Sequence, residues 1–318
     1  RIMATRRILV CGATGFIGRN VVERLSQQPD IELLAIEHKS SRFDCPNVKW
    51  IEADLTRESD VSHALRNIDV VVQAAATTSG AGDIVNRPYI HTADNAVMNS
   101  HLFRAAYDHT VKHVIFFSCT VMYQSSETAL RETDFTGEIP PQYFGVGWTK
   151  VYLEKMAEFY AGLGRTKYTV LRHSNIYGPH DKFDLERSHM FGATVTKTMT
   201  AQDGRIVVWG EGEEARDLLY IDDLVECVEN AIAHQDEPFG LYNIGYGEAF
   251  AVKDVVKRIV SASGRDLTIK FDRSKPTIKT SLFLDCALAK HAIGWEKSTT
   301  FDAGIEATLR WYKANSPS

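Results

Sequence analysis

Long apolar runs are missing from this 318-residue chain: no stretch approaches the roughly 20 residues a membrane span needs, and nothing has the layout of a secretory leader. Clustered cysteine is missing too. Cys11, Cys45, Cys119, Cys227 and Cys286 are scattered without a CxxC pair or metal-ligand spacing, which gives no case for a zinc site and fits a reducing cytoplasm better than secretion. Basic blocks are absent as well: 36 basic against 41 acidic residues leave a net charge of −5, and no lysine or arginine run can track a phosphate backbone. Nucleic acid and membrane are therefore not expected partners, whereas a small anionic ligand needs only a few local charges. No internal repeat, low-complexity segment or evident linker divides the chain, and 44% apolar residues suffice for a large core. The Arg1-Ile2 pair ahead of Met3 reads as an addition to the natural start.

What is present alternates. Arg7 to Cys11 is a β-branched run, followed at once by Gly12-Ala13-Thr14-Gly15-Phe16-Ile17-Gly18 and a helical pattern over Asn20 to Ser26. A strand, a glycine turn and a helix in this order let backbone approach a pyrophosphate while the helix N-terminus offers it free amides; a tight turn with close helix packing is the alternative. Ile31 to Ile36 is a second strand. Glu37 at its end suits the hydroxyls of an adenosine ribose and favours NAD, while His38, Lys39 and Arg42 can meet a 2′-phosphate and leave NADP open; a solvated acid is the plainer reading of Glu37. Asp54-Leu55, after the strand Val48 to Ile51, either contacts adenine or caps the helix that begins near Glu58. Asp69 to Gln73 runs into Ala74-Ala75-Ala76, small enough for a cofactor to lie against. Asn95 to Tyr107 is helical, Val114 to Ser118 is another strand, and Cys119-Thr120 follow at its end. This spacing predicts an α/β fold with a Rossmann-type, doubly wound parallel sheet and ligands at the carboxyl ends of the strands.

The ordered motifs GATGFIG, Asp54-Leu55, Ala74 to Ala76, Asn95, SCTVMY (Ser118 to Tyr123), LRHSNIYGP (Leu171 to Pro179), RDLLYIDD (Arg216 to Asp223) and YNIG (Tyr242 to Gly245) resemble the extended short-chain dehydrogenase/reductases of the nucleotide-sugar epimerase and dehydratase group. Within it, YGPHDKF (Tyr177 to Phe183), Ser188-His189 and VVWGEGEEARD (Val207 to Asp217) are most similar to GDP-fucose synthase, an epimerase-reductase. The resemblance implies NAD(P) held by the residues above together with Lys150 and His173. It implies a nucleoside-diphosphate sugar, GDP-linked by the closer likeness, met by Asn175 and Arg216, with Arg187 and Lys197 as lesser nucleotide contacts. Residues 1–175 would bind the dinucleotide, with 217–245 returning to that unit, and 176–318 would form most of a smaller, interleaved substrate lobe. It also implies a homodimer joined through the helices near Asn95 and after Lys150. A salt bridge to Asp217 or Asp222 is the competing role for Arg216.

The family's chemistry uses a Ser/Thr hydroxyl, a tyrosine and a lysine, the last two as YxxxK. Lys150, with Glu154 one turn later, fits the lysine; the tyrosine position is then Val146, the hydroxyl position is Cys119, and the family's catalytic cysteine position is Val121. Valine transfers no proton. Thr120 and Tyr143 are the nearest replacements, and His189 matches the partner histidine, although a buried filler for Cys119 and a surface or helix-capping role for His189 compete. The expected activity is an NAD(P)-dependent epimerase, reductase or dehydratase with an altered centre. Its rivals are a protein that binds both ligands without turnover and an engineered inactive variant.

Overall fold

The computed structural model describes residues 5–77 and 86–316, so the Arg1-Ile2-Met3 expectation lies outside the described residues. Seven parallel strands form the central sheet: β1 (Arg6–Cys11), β2 (Ile31–Glu37), β3 (Val48–Glu52), β4 (Val70–Gln73), β5 (His113–Phe117), β6 (Lys167–His173) and β11 (Phe239–Ile244). They lie in the order β11-β6-β5-β4-β1-β2-β3. The order reverses between β1 and β4, and the crevice outside the strand ends at such a switch point is where doubly wound sheets take ligands. The Rossmann-type expectation is met.

Both faces of the sheet are covered, which is why its strands read as near-continuous apolar runs. On one face α1 (Phe16–Leu25) lies beside α6 (Ile221–His234), over Val10, Leu33, Val72 and Ile115. On the other, α2 (Glu58–Ala64), α3 (Ala93–Asp108) and α4 (Phe144–Gly162) cover Leu9, Val71, Val114 and Val170. Phe103 of α3 sets its ring edge-on to Phe116 and Tyr168, with centroids 5.6 and 5.3 Å away. Helix α3 is thereby locked onto β5 and β6.

Beyond the sheet, the strand pair β8 (Arg205–Trp209) and β13 (Thr268–Asp272) shares a small core with α7 (Val252–Ser263), beside α5 (Met190–Thr200), while α8 (Ala287–Ile293) packs back onto α6 and β11 and α9 (Phe301–Asn315) ends the described chain. Two small ladders were not expected from sequence: β7 (Asn175–Tyr177) pairs with β10 (Leu218–Tyr220), and β9 (Ala215–Arg216) with β12 (Phe250–Ala251). Strands of two or three residues are too short for alternation to register.

Two boundaries shift for physical reasons. Helix α1 begins at Phe16 rather than near Asn20, because Gly18 already belongs to its first turns and a Cβ there would stand 2.0 Å from the Gly12 carbonyl oxygen. Strand β11 begins at Phe239 rather than Tyr242: Gly240 resembles a turn residue, but its missing side chain leaves room for the Tyr242 ring.

Candidate active site

The glycine turn is shaped by close approach. Gly12 has φ +69°, and a Cβ on it would lie 2.5 Å from the backbone of Ala74 and Ala75. Only glycine fits there. Gly15 donates to the Gly12 carbonyl at 3.0 Å and leads into α1 without any side-chain cap. The first amides of α1 lack partners within the helix, and half-buried Thr14, Phe16 and Ile17 flank the turn. Opposite it, Ala74 and Ala75 are held by a buried amide chain that sequence reading missed. Gln73 accepts from the Ala75 amide and donates to Asn99 Oδ1 at 2.8 Å, and Asn99 donates to the Asn95 carbonyl. Asn95, only 4% exposed, exchanges hydrogen bonds with Thr77 and also bonds the His91 carbonyl. Its side chain therefore shapes the strand end that carries Ala74 to Ala76. The visible signal was Asn95 and Asn99 one helical turn apart beneath a strand ending in glutamine.

Along the adenosine side, Glu37 accepts from the Arg42 amide at 3.2 Å, and its carboxylate lies 3.9 Å from the Arg42 guanidinium. Lys39 is exposed. Asp54 Oδ1 accepts from both the amide and the hydroxyl of Thr56, at 3.0 and 2.7 Å, and these bonds hold its pKa below the usual carboxylate range. That is a turn-capping role just ahead of α2; His38 stands 3.8 Å from Asp54, and Leu55 is buried in the core.

The reacting end is organised by a buried ion pair. Arg172 at the end of β6 grips Glu154 of α4 through two bonds, 3.0 and 2.7 Å, and Glu154 also accepts from the Ser118 hydroxyl at 2.6 Å. Desolvation pulls the Arg172 pKa down, and the bonds to Glu154 more than offset this, so it is raised. Arg172 also donates to Tyr123 Oη, which donates to Asn243 Oδ1 at 2.8 Å. The consequence is a fixed angle between α4 and the ends of β5 and β6.

Lys150, one turn before Glu154, donates to the Phe117 carbonyl at 2.9 Å, and burial lowers its pKa. The Cys119 thiol is pushed up by burial, against the pull of Lys150. Val146 lies half-buried in the first turn of α4. Tyr143 closes the short 3₁₀ turn that Pro141 begins, and its ring lines a cleft of about 80 Å³ together with Thr120, Val121, Asn175, Arg216 and Thr280. Burial raises the Tyr143 pKa, and the Arg216 charge opposes it. The structure thus brings Tyr143, Thr120, Asn175 and Arg216 to one cleft, while Lys150, Cys119 and Val146 lie outside its lining.

His173 donates from Nδ1 to the Ser174 carbonyl, and burial takes its pKa down to about 4, leaving it neutral near pH 7. His189 stands exposed at the N-cap position of α5 without a side-chain hydrogen bond to the helix, and desolvation, then Lys182 and His91, lower its pKa. Arg216 forms no salt bridge to Asp217 or Asp222. Its guanidinium donates to the carbonyls of Ala215, Ile278 and Thr280, whereas Asp217 accepts amides from Tyr246, Gly247 and Leu284. Arg187 stands on the surface 3.9 Å from Asp184, away from the cleft lining. Lys197 donates to the Val207 carbonyl and sits 5.9 Å from the centre of the Trp209 ring. Trp209, 51% exposed, was not singled out from sequence, although an aromatic at the end of an alternating strand was there to be read.

The glycine cradle and doubly wound sheet define a dinucleotide-binding protein, and the chain belongs to the NAD dependent epimerase/dehydratase family, which matches residues 8–245. It is 26% identical to a GDP-L-colitose synthase of Yersinia pseudotuberculosis, covering 96% of this chain and 97% of that protein. It is 28% identical to a dTDP-4-dehydro-6-deoxy-D-allose reductase of Streptomyces sp, with coverages of 98% and 97%. GDP-L-fucose synthases are matched as well, in line with the resemblance read from the motifs. Among solved structures, UDP-glucose 4-epimerase of Thermotoga maritima, determined with UDP-glucose, superposes with a TM-score of 0.86 at 25% identity, over 97% of this chain and 99% of that one. The features of the glycine turn that suit a dinucleotide pyrophosphate are the uncapped N-terminus of α1 and exposed Gly15 ahead of it, whereas Gly12 is needed for the close packing of the turn on Ala74 and Ala75.

Proposed function

We propose that the chain is a nucleotide-sugar reductase or epimerase-reductase that uses NAD(H), with Tyr143 taking the place of the family tyrosine. The observation that carries this is the position of Tyr143 in the cleft beside Thr120 and Arg216. The nicotinamide supplies hydride exchange with a sugar carbon. Lys150 holds its ribose, Tyr143 Oη passes a proton to the sugar oxygen, and the Thr120 hydroxyl holds that oxygen in place. Burial keeps the Tyr143 phenol protonated at neutral pH, the form that reduction of a keto-sugar requires. Arg216 takes the diphosphate, a role suited to a planar, permanently charged fork, and Trp209 offers its open face to the base. GDP is the expected nucleotide from the YGPHDKF and VVWGEGEEARD segments. NAD is favoured over NADP because Glu37 already holds Arg42 and presents a negative charge where a 2′-phosphate would lie.

Binding without turnover is the second reading, favoured by Val146 and Cys119 beside an otherwise complete binding apparatus. Turnover of GDP-4-keto-6-deoxy-mannose with NADH or NADPH, followed by loss of reduced nicotinamide, separates the two. On the catalytic reading the parent protein is active and Tyr143→Phe loses about 10²- to 10⁴-fold in kcat. An inert parent that becomes active only as Val146→Tyr establishes the binding reading instead.

A further inference from the structure

Residues 275–282 run along the cleft without forming a helix or strand, and Thr280 and Leu282 of this segment line it. Their anchors are unusual in kind. Lys275 places its ammonium 5.8 Å from the centre of the Trp209 ring. Thr277 packs on Gly210, its Cγ2 only 2.6 Å from where a Cβ would stand. Ile278 and Thr280 present their backbone carbonyls to the Arg216 guanidinium, the former at 2.7 Å. Ser281 completes the attachment: its hydroxyl accepts from the Ala215 amide at 2.8 Å, its carbonyl from the Ser126 amide at 2.9 Å, and its own amide donates to Ser125 at 3.0 Å. No carboxylate lies within ion-pair distance of Arg216 among the described residues.

The cleft beneath this segment measures about 80 Å³. Sites for ligands of nucleotide size take about 300–1,000 Å³. We infer that residues 275–282 are a strap that stands in for the ligand, with two carbonyl oxygens in the place of phosphate oxygens and Lys275 over the face meant for a base. Resting on the nucleotide-sugar reading above, the inference says that the ligand enters by displacing the strap and not by having it close.

Charge selects which molecules can do this. A phosphate brings a full negative charge to the guanidinium, where the carbonyls of the strap bring only dipoles. A diphosphate therefore wins the exchange and a free sugar does not. Because the binding-competent form is the strap-open one, the apparent affinity falls in proportion to how rarely the strap is open. Weakening the strap at a point that does not touch Arg216 or Trp209 should then tighten binding.

Ser281→Ala removes the acceptor for the Ala215 amide and leaves both ligand groups intact. Loss of one such bond is worth about 0.5–1.5 kcal/mol, or about 2- to 12-fold in the opening equilibrium. Calorimetric titration with GDP is expected to show Ser281→Ala binding tighter than the parent by that factor. In the parent, hydrogen-exchange mass spectrometry should show faster exchange over 275–282 on saturation with GDP. Unchanged or weaker binding by the variant, or slower exchange with GDP, overturns the strap while leaving nucleotide binding standing. Failure of both proteins to bind GDP, UDP or dTDP overturns the nucleotide reading and the strap together. The parent exchange measurement stands even if the variant folds poorly.

Discussion

Replacing Glu154 by glutamine tests whether the buried pair with Arg172 sets the architecture of the site. Both side chains are only 5% exposed, and among the described residues Glu154 is the one carboxylate paired with the guanidinium. Glutamine keeps the shape and an acceptor for Ser118, so the perturbation is the charge. Leaving one member of a buried pair uncompensated costs about 3–5 kcal/mol. With an unfolding entropy of about 2.1 cal/mol/K per residue, a chain this long loses about 1.5 °C of melting temperature per kcal/mol. Glu154→Gln should therefore melt about 4–8 °C lower in a calorimetric scan.

The double variant Glu154→Met, Arg172→Met separates a lost charge pair from lost packing. Replacing both members with apolar side chains of similar volume is often neutral or stabilising, so it should recover most of the loss, less what Tyr123 forfeits with its Arg172 donor. A shift below 1 °C for Glu154→Gln would refute the reasoning, as would a double variant no better than the single one. In either case the angle of α4, and with it the position of Lys150, would have to be fixed by something else.

His113 gives a pH prediction. It is buried at 5% exposure against Thr169 Oγ1, 2.7 Å away, and desolvation takes its pKa down to about 3 from 6.5. The unfolded chain then binds the extra proton across that interval, so stability is complete above pH 6.5 and declines as pH falls toward 3. The loss is about 3 kcal/mol at pH 4 by urea denaturation, and His113→Gln should flatten this slope; equal slopes for both proteins would count against it. On α4 and its C-cap, Trp148, Tyr152, Phe159 and Leu163 recur four, seven and four residues apart, with Phe159 61% exposed, as one apolar stripe. A homodimer covering it predicts twice the chain mass by light scattering, with Phe159→Glu running as a monomer; a monomeric parent would dispose of the idea.

Much of the fold was legible because its strands are buried on both faces and its glycines have steric reasons. Val70 to Gln73 and His113 to Phe117 are continuous buried runs, and the turn at Gly12 is the sort of close approach that only its spacing before a helix betrays. The ladder pairing Ala215 with Ala251 was not legible, since two residues carry no period. Nor was the extent of β11, where Gly240 is needed for the room its missing side chain leaves the Tyr242 ring and not for a turn.

The site divides along the same line. Identity at a position is printed in the sequence, so Val146, four residues before Lys150, is read directly once the family's YxxxK pattern is laid on the lysine helix. Direction is not printed: Tyr143 precedes α4 in a 3₁₀ turn set by Pro141, and only the packed structure shows its ring facing Arg216 across the cleft. The same holds for Arg216, whose two nearest acids in sequence are engaged elsewhere while its charge rests on carbonyls 62 and 64 residues away. A cation left with neutral acceptors in a desolvated cleft is held at a cost that an anionic ligand removes. On the proposed reading, Arg216, bonded to three carbonyls and to no carboxylate among the described residues, stands where a diphosphate would sit, and Val146 and Cys119 lie outside that cleft. Binding and chemistry can therefore be lost separately here, and measurements that score only turnover would miss half of what the site is built to do.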